Sequence, residues 1–135
     1  MLMKNIKFFV IIFVFVILSK DVFAQSQNAI PEPSQWVSAP YRLYRTQNMW
    51  AFIELETATG RMWQVHFDTR GDNRARVVLS TQDRSVGRER IDGRFTLHPT
   101  QNIQTFILHD QIDGRTWQVQ WSNESRNRIV IPISD

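Results

Sequence analysis

Between residues 41 and 80 apolar side chains recur at alternate positions, and the same alternation returns between residues 94 and 134. Period two is the mark of a strand with one face on a core, and turn-forming residues interrupt each stretch three times. The pattern predicts four strands per stretch: 41–46, 49–57, 60–67 and 75–80, then 94–99, 103–111, 114–121 and 128–134. It shows no amphipathic helix, heptad or low-complexity tract.

The two stretches are copies. Shifting the chain by 54 positions aligns residues 41–80 with 95–134 without a gap, and fourteen of the forty pairs are identical. Shared segments include Thr46-Gln47-Asn48 with Thr100-Gln101-Asn102, Phe52-Ile53 with Phe106-Ile107, and Gly60 to Val65 with Gly114 to Val119, "GRMWQV" against "GRTWQV". A period of this length signals a duplicated supersecondary unit. Thr59-Gly60 and Asp113-Gly114 fall where the second and third strands must reverse, Asp-Gly being a strong hairpin signal because both residues tolerate positive φ. Thr and Asn of the Thr-Gln-Asn triplets supply turns through bonds to nearby backbone.

On the third strands, Trp63, Val65 and Phe67, and in the second copy Trp117, Val119 and Trp121, share one side and form the expected structural core. Each aromatic ring buries about 150–250 Å². Phe52 and Ile53 have opposite parity and both recur, which implies a second strand covered on both sides. Pro132 cannot donate to a ladder, so the last strand is expected at an edge or a bulge.

Two four-stranded meanders predict an all-β fold: one compact eight-stranded barrel or sandwich with pseudo-twofold symmetry. Two propeller blades are the third arrangement, but a propeller needs at least about four blades and hence several chains. Residues 81–93 read as a polar connector, and 25–40 as an extended arm that Trp36 pins to the body.

The repeated string Thr-Gln-Asn, Phe-Ile, Gly-Arg-x-Trp-Gln-Val resembles that of small exported proteins of Bacteroidota-type bacteria. The resemblance spans residues 41–134 and implies export and repeat architecture, with no active site attached.

Lys4 and Lys7, the apolar run Phe8–Leu18 and the small-residue pattern Val22-Phe23-Ala24 read as a signal peptide over residues 1–24. The run falls short of the roughly 20 apolar residues of a spanning helix, so no stable membrane anchor is expected after cleavage, and the product is periplasmic or secreted. Sixteen basic residues less Lys4, Lys7 and Lys20 leave thirteen, all arginine, and thirteen acidic residues less Asp21 leave twelve. That near-neutral balance argues against a nucleic-acid footprint. The chain has no cysteine, which excludes disulfides, thiolate metal sites, thiol nucleophiles and a lipobox anchor.

The candidate chemistry is sparse. His66, His98 and His109 form no ligand motif, so no metal is expected. Glu54 and Glu56 share a strand face with Cα atoms about 6–7 Å apart, near the spacing used in glycoside hydrolysis, but the second copy has Leu108 and Asp110 there. Phosphate-cradling and dinucleotide glycine loops are absent, and with them any expected cofactor. The candidate ligand-binding residues are Gln64 and Gln118, read as a repeated polar pair facing solvent, the unrepeated Trp50 as an aromatic platform, and Arg61 and Arg115 as anion contacts or aromatic caps. These features favour an exported, non-catalytic module that binds a protein or a glycan. The alternatives are a periplasmic inhibitor or immunity protein, and a small hydrolase using Glu54 and Glu56.

Overall fold

The computed structural model describes residues 39–134. The leader, Trp36 and most of the arm lie outside the described residues. Within them are eight strands: β1 (Tyr41–Arg45), β2 (Ala51–Glu56), β3 (Met62–His66), β4 (Ala75–Ser80), β5 (Phe95–Pro99), β6 (Thr105–Asp110), β7 (Thr116–Gln120) and β8 (Ile129–Ile133). They form two separate antiparallel sheets in the orders β1-β2-β3-β4 and β5-β6-β7-β8, one per copy, and do not close into a barrel.

The Thr-Gln-Asn turns are built twice in the same way. The Thr46 hydroxyl lies 2.8 Å from the Ala51 carbonyl and accepts from the Asn48 N–H, while Asn48 Oδ1 accepts from the Trp50 N–H at 2.9 Å. Thr100, Asn102, Gln104 and Thr105 repeat each of these bonds. The β2-β3 and β6-β7 reversals run through residues 57–61 and 111–115, closed by Gly60 N–H to the Glu56 carbonyl and Gly114 N–H to the Asp110 carbonyl. Only the glycines take positive φ, 77° and 74°, so these are not the two-residue hairpins that Asp-Gly suggests. Pro132 stands on β8, an edge strand, opposite Trp117.

The copies bury opposite faces. In the first sheet Ala51, Ile53, Leu55, Met62 and Gln64 are buried, with Ile53 opposite Gln64 and Tyr44 in the register. In the second sheet Phe106, Leu108, Asp110, Trp117 and Val119 are buried, with Phe106 opposite Val119 and Leu108 opposite Trp117. Under the 54-residue offset Phe106 corresponds to Phe52 and Trp117 to Trp63, and both of those lie on the outward face of the first sheet. A twofold relation would bury corresponding positions.

Half of the expected core is therefore displaced. Trp117, Val119 and Trp121 belong to the buried cluster, whereas Trp63 and Val65 are half-buried and Phe67 is exposed. One cluster unites residues of both sheets. Across it the Tyr44 hydroxyl meets the Thr96 hydroxyl at 3.1 Å, and a methyl built on Gly60 would lie 3.3 Å from the Phe95 ring.

The connector between the copies is mostly exposed but buries Arg84, Ser85 and Gly93. Arg84 is buried, donates to the carbonyls of Gly60 and Gln82 and to the Ser80 hydroxyl, and lies 5.7 Å from the Trp117 ring centroid. Burial lowers its pKa to about 10.

Candidate functional site

A groove runs along the end of the sheets where the β1-β2 turn meets the segments after β3 and β7. One lobe, of about 440 Å³, is lined by Asn48, Trp50, His66, Phe67, Asp68, Asn73 and Asn123. A second, of about 400 Å³, shares Asn48 and Asn123 and adds Ile103, Gln104 and Trp121 among its lining.

The aromatic corner arises because Trp50 closes the Asn48 turn and Phe67 directly follows β3, its N–H donating to the Trp50 carbonyl at 3.1 Å. Their ring centroids stand 5.3 Å apart at 60°, and Phe52 backs Phe67 at 6.1 Å. Trp50 is 39% exposed.

The polar rim is set by local bonds. Asp68 accepts from the Arg70 N–H and the Asn73 amide, both at 2.9 Å. The Arg70 N–H first, then the Asn73 amide, holds the Asp68 carboxyl below the usual carboxylate range, so the groove presents an ionised acceptor. Burial, aided by the Arg128 charge, lowers the pKa of His66, leaving a neutral imidazole with one donor and one acceptor at neutral pH.

The other sequence candidates lie elsewhere. Gln64 does not face solvent: it is fully buried, donates to the Ser122 carbonyl at 3.1 Å and accepts from the Ser122 N–H at 2.9 Å. Its counterpart Gln118 is half-buried on the outward face of the second sheet. Arg115 caps Trp117, its guanidinium 5.1 Å from the ring centroid, and pairs with Asp110 at 2.7 Å. Arg61 stands 3.9 Å from Glu56. Only Trp50 of the five candidates lines the groove; Asn48 is legible in the sequence only as a turn residue, and Asp68, Asn73 and Asn123 carry no binding signal there, although Asn73 falls in a repeated Asn-Arg pair.

Glu54 and Glu56 both stand on the outward face of the first sheet and are engaged by their neighbours. Glu54 pairs with Arg76, whose guanidinium lies 3.9 Å over the Trp63 ring, and Glu56 accepts from the Thr59 and Tyr41 hydroxyls. His98 and His109 stand 5.8 Å apart on the outward face of the second sheet, where burial, then His109, lowers the pKa of His98. No group of three or more histidines and acids among the described residues is placed to hold a metal ion. No described helix is long and apolar enough to cross a membrane.

No family model, curated protein or solved structure matches the chain.

Proposed function

We propose that the protein is an exported, non-catalytic carbohydrate-binding module that seats its ligand in the groove around Trp50. The supporting observation is the Trp50–Phe67 corner beside Asn48, Asp68, Asn73 and Asn123. A pyranose offers an apolar C–H face and a rim of hydroxyls; an exposed indole matches the first, and amides with a fixed carboxylate match the second. The leader pattern over residues 1–24 supports export to the periplasm or beyond. The finer architecture that fits this reading is a face-to-face stack of two sheets related head to tail, in place of a barrel or a twofold pair.

Calorimetric titration with a panel of neutral oligosaccharides tests the reading. Binding is expected for the wild type and lost in Trp50→Ala and Asn73→Ala at unchanged unfolding midpoints. Retained affinity in both variants would remove the groove as the site, and no binding across a broad glycan array would remove the carbohydrate assignment.

A further inference from the structure

Each copy of the repeat has two sheet faces, and the chain uses one of each, apart from Thr96 on β5, which shares the side of His109 yet is buried against Tyr44. The interface inside the molecule joins the Ile53/Leu55/Met62/Gln64 face of the first copy to the Phe106/Leu108/Trp117/Val119 face of the second. The counterpart of the second of these is the outward face of the first sheet: Phe52, Glu54, Trp63 and Val65, continued by Tyr41 and Leu43. The counterpart of the first is the outward face of the second sheet, with Ile107, His109, Thr116 and Gln118. The molecule thus carries, unmated, both halves of an interface it has already built once.

We propose that the protein associates with further copies of itself head to tail, the outward face of the first sheet in one chain docking on the outward face of the second sheet in the next. A contact between two different patches repeats until it closes, and sheets stacked face to face close as rings of about four to eight. Two sheets per chain make that roughly two to four chains.

Three observations give the contact its content. Both faces expose apolar side chains: Tyr41, Leu43 and Val78 beside Arg45 and Arg76 on one, and Ile129, Ile131 and Ile133 beside His98 on the other. Most of their charges are settled, since Glu54 is paired with Arg76 and Glu56 with Arg61, leaving Arg45 at the end of β1, while the outward strand positions of the second sheet carry no Asp, Glu, Lys or Arg. Docking therefore buries no unpaired ion at the centre of the contact, and Arg45 lies at the end of its strand, where its guanidinium can stay in water.

The third observation is the repeated glutamine. Gln64 grips the backbone of Ser122 across the internal interface. Its counterpart is Gln118, and that of Ser122 is Asp68, so Gln118 of one chain would take the Asp68 N–H and carbonyl of the next. The interface needs the amide twice, which accounts for identical residues in unlike surroundings. Arg128, which donates to the Val78 carbonyl at 3.3 Å, predicts the same reach from Arg74 to the Pro132 carbonyl of a neighbour.

The test is native mass spectrometry and light scattering on the protein expressed from its full sequence, beside Leu43→Glu, Trp63→Asp and Gln118→Arg. The wild type is expected as one closed species of roughly two to four chains, and each variant as a folded monomer, Leu43→Glu and Gln118→Arg with a wild-type unfolding midpoint once dissociated and Trp63→Asp with a lower one. Mixing is decisive: Leu43→Glu keeps a sound second-sheet face and Gln118→Arg a sound first-sheet face, so together they are expected to form a 1:1 complex that neither forms alone. A wild type that stays monomeric, an oligomer that survives both Leu43→Glu and Gln118→Arg, or monomeric variants that fail to pair on mixing would each overturn the proposal. Glycan binding by the monomeric variants is read separately, so the two readings fail independently.

Discussion

The side-chain amide of Gln64 holds the backbone of Ser122 from both sides, donating to its carbonyl at 3.1 Å and accepting from its N–H at 2.9 Å. This one residue, on β3 of the first sheet, stands in for a strand partner at the end of the second. A fully buried amide is tolerated in an apolar cluster only because both ends are satisfied.

Replacing Gln64 by Leu keeps the volume but leaves the Ser122 N–H and carbonyl without their partner. The expected cost is about 1–3 kcal/mol for stranded buried groups, read as a lower denaturant midpoint at unchanged slope. Gln118→Leu on the monomeric chain is expected to lie within about 0.5 kcal/mol of wild type, because its side chain meets no such carbonyl within the chain. Equal losses in the two variants would refute the assignment of inner and outer faces.

Asp110 anchors the other end of the core. It is fully buried and accepts from Arg94 and Arg115, and Arg94 itself is only 3% exposed. Burial raises the carboxyl's pKa, but the bonds from Arg94, Arg115 and the N–H groups of Asp113 and Ile112 outweigh it and hold the pKa below the ordinary carboxylate value. The folded state then binds the proton less tightly than the unfolded state, so stability is full above that value and lost as the pH falls through the folded pKa. Asp110→Asn is expected to cost about 3 kcal/mol, the lower end for removing one partner of a buried pair, because Asp113 remains 2.8 Å from Arg94. It should also flatten the acid limb of the stability curve, which urea titrations at successive pH values would read.

The local features of this fold were legible in the sequence, and the choice of faces was not. Thr-Gln-Asn announced its turn because the bonds that make it are short-range. Alternation told which residues share a side, and Trp63 and Trp117 occupy the same side of the same strand in both copies. Which side is inward depends on what lies across from it, and a pattern of period two is blind to that. The recurrence of both Phe52 and Ile53 was the visible trace: the repeat unit is apolar on both faces. Arg84 and Arg94 sit in or beside a polar stretch, and their burial follows from carbonyls and a carboxylate that folding brings to them. The groove likewise draws on four separated segments.

Because the turn recurs, its energetics should recur. Thr46→Val and Thr100→Val each remove a hydroxyl that holds the Asn N–H and a carbonyl across the turn. Each is expected to cost about 0.5–1.5 kcal/mol, and the double variant their sum, since the turns share no partner. Thermal melts of the three variants provide the check, at roughly 4–8 °C per kcal/mol for a domain of this size.

The opposite burial of corresponding residues makes the sharpest stability prediction. Phe52 and Phe106 are the same residue of the repeat, as are Ile53 and Ile107, yet Phe106 and Ile53 are in the core while Phe52 and Ile107 face outward. On a chain held monomeric by Gln118→Arg, Phe106→Ala should cost about 3–5 kcal/mol and Ile53→Ala about 2–5 kcal/mol. Phe52→Ala and Ile107→Ala should cost roughly half of that or less, because water already reaches their side chains. A twofold arrangement would instead make both phenylalanines expensive or both isoleucines expensive. In the assembled wild type the difference should narrow and become concentration-dependent, since a neighbouring chain would then cover Phe52 and Ile107 as the molecule's own sheets cover their counterparts.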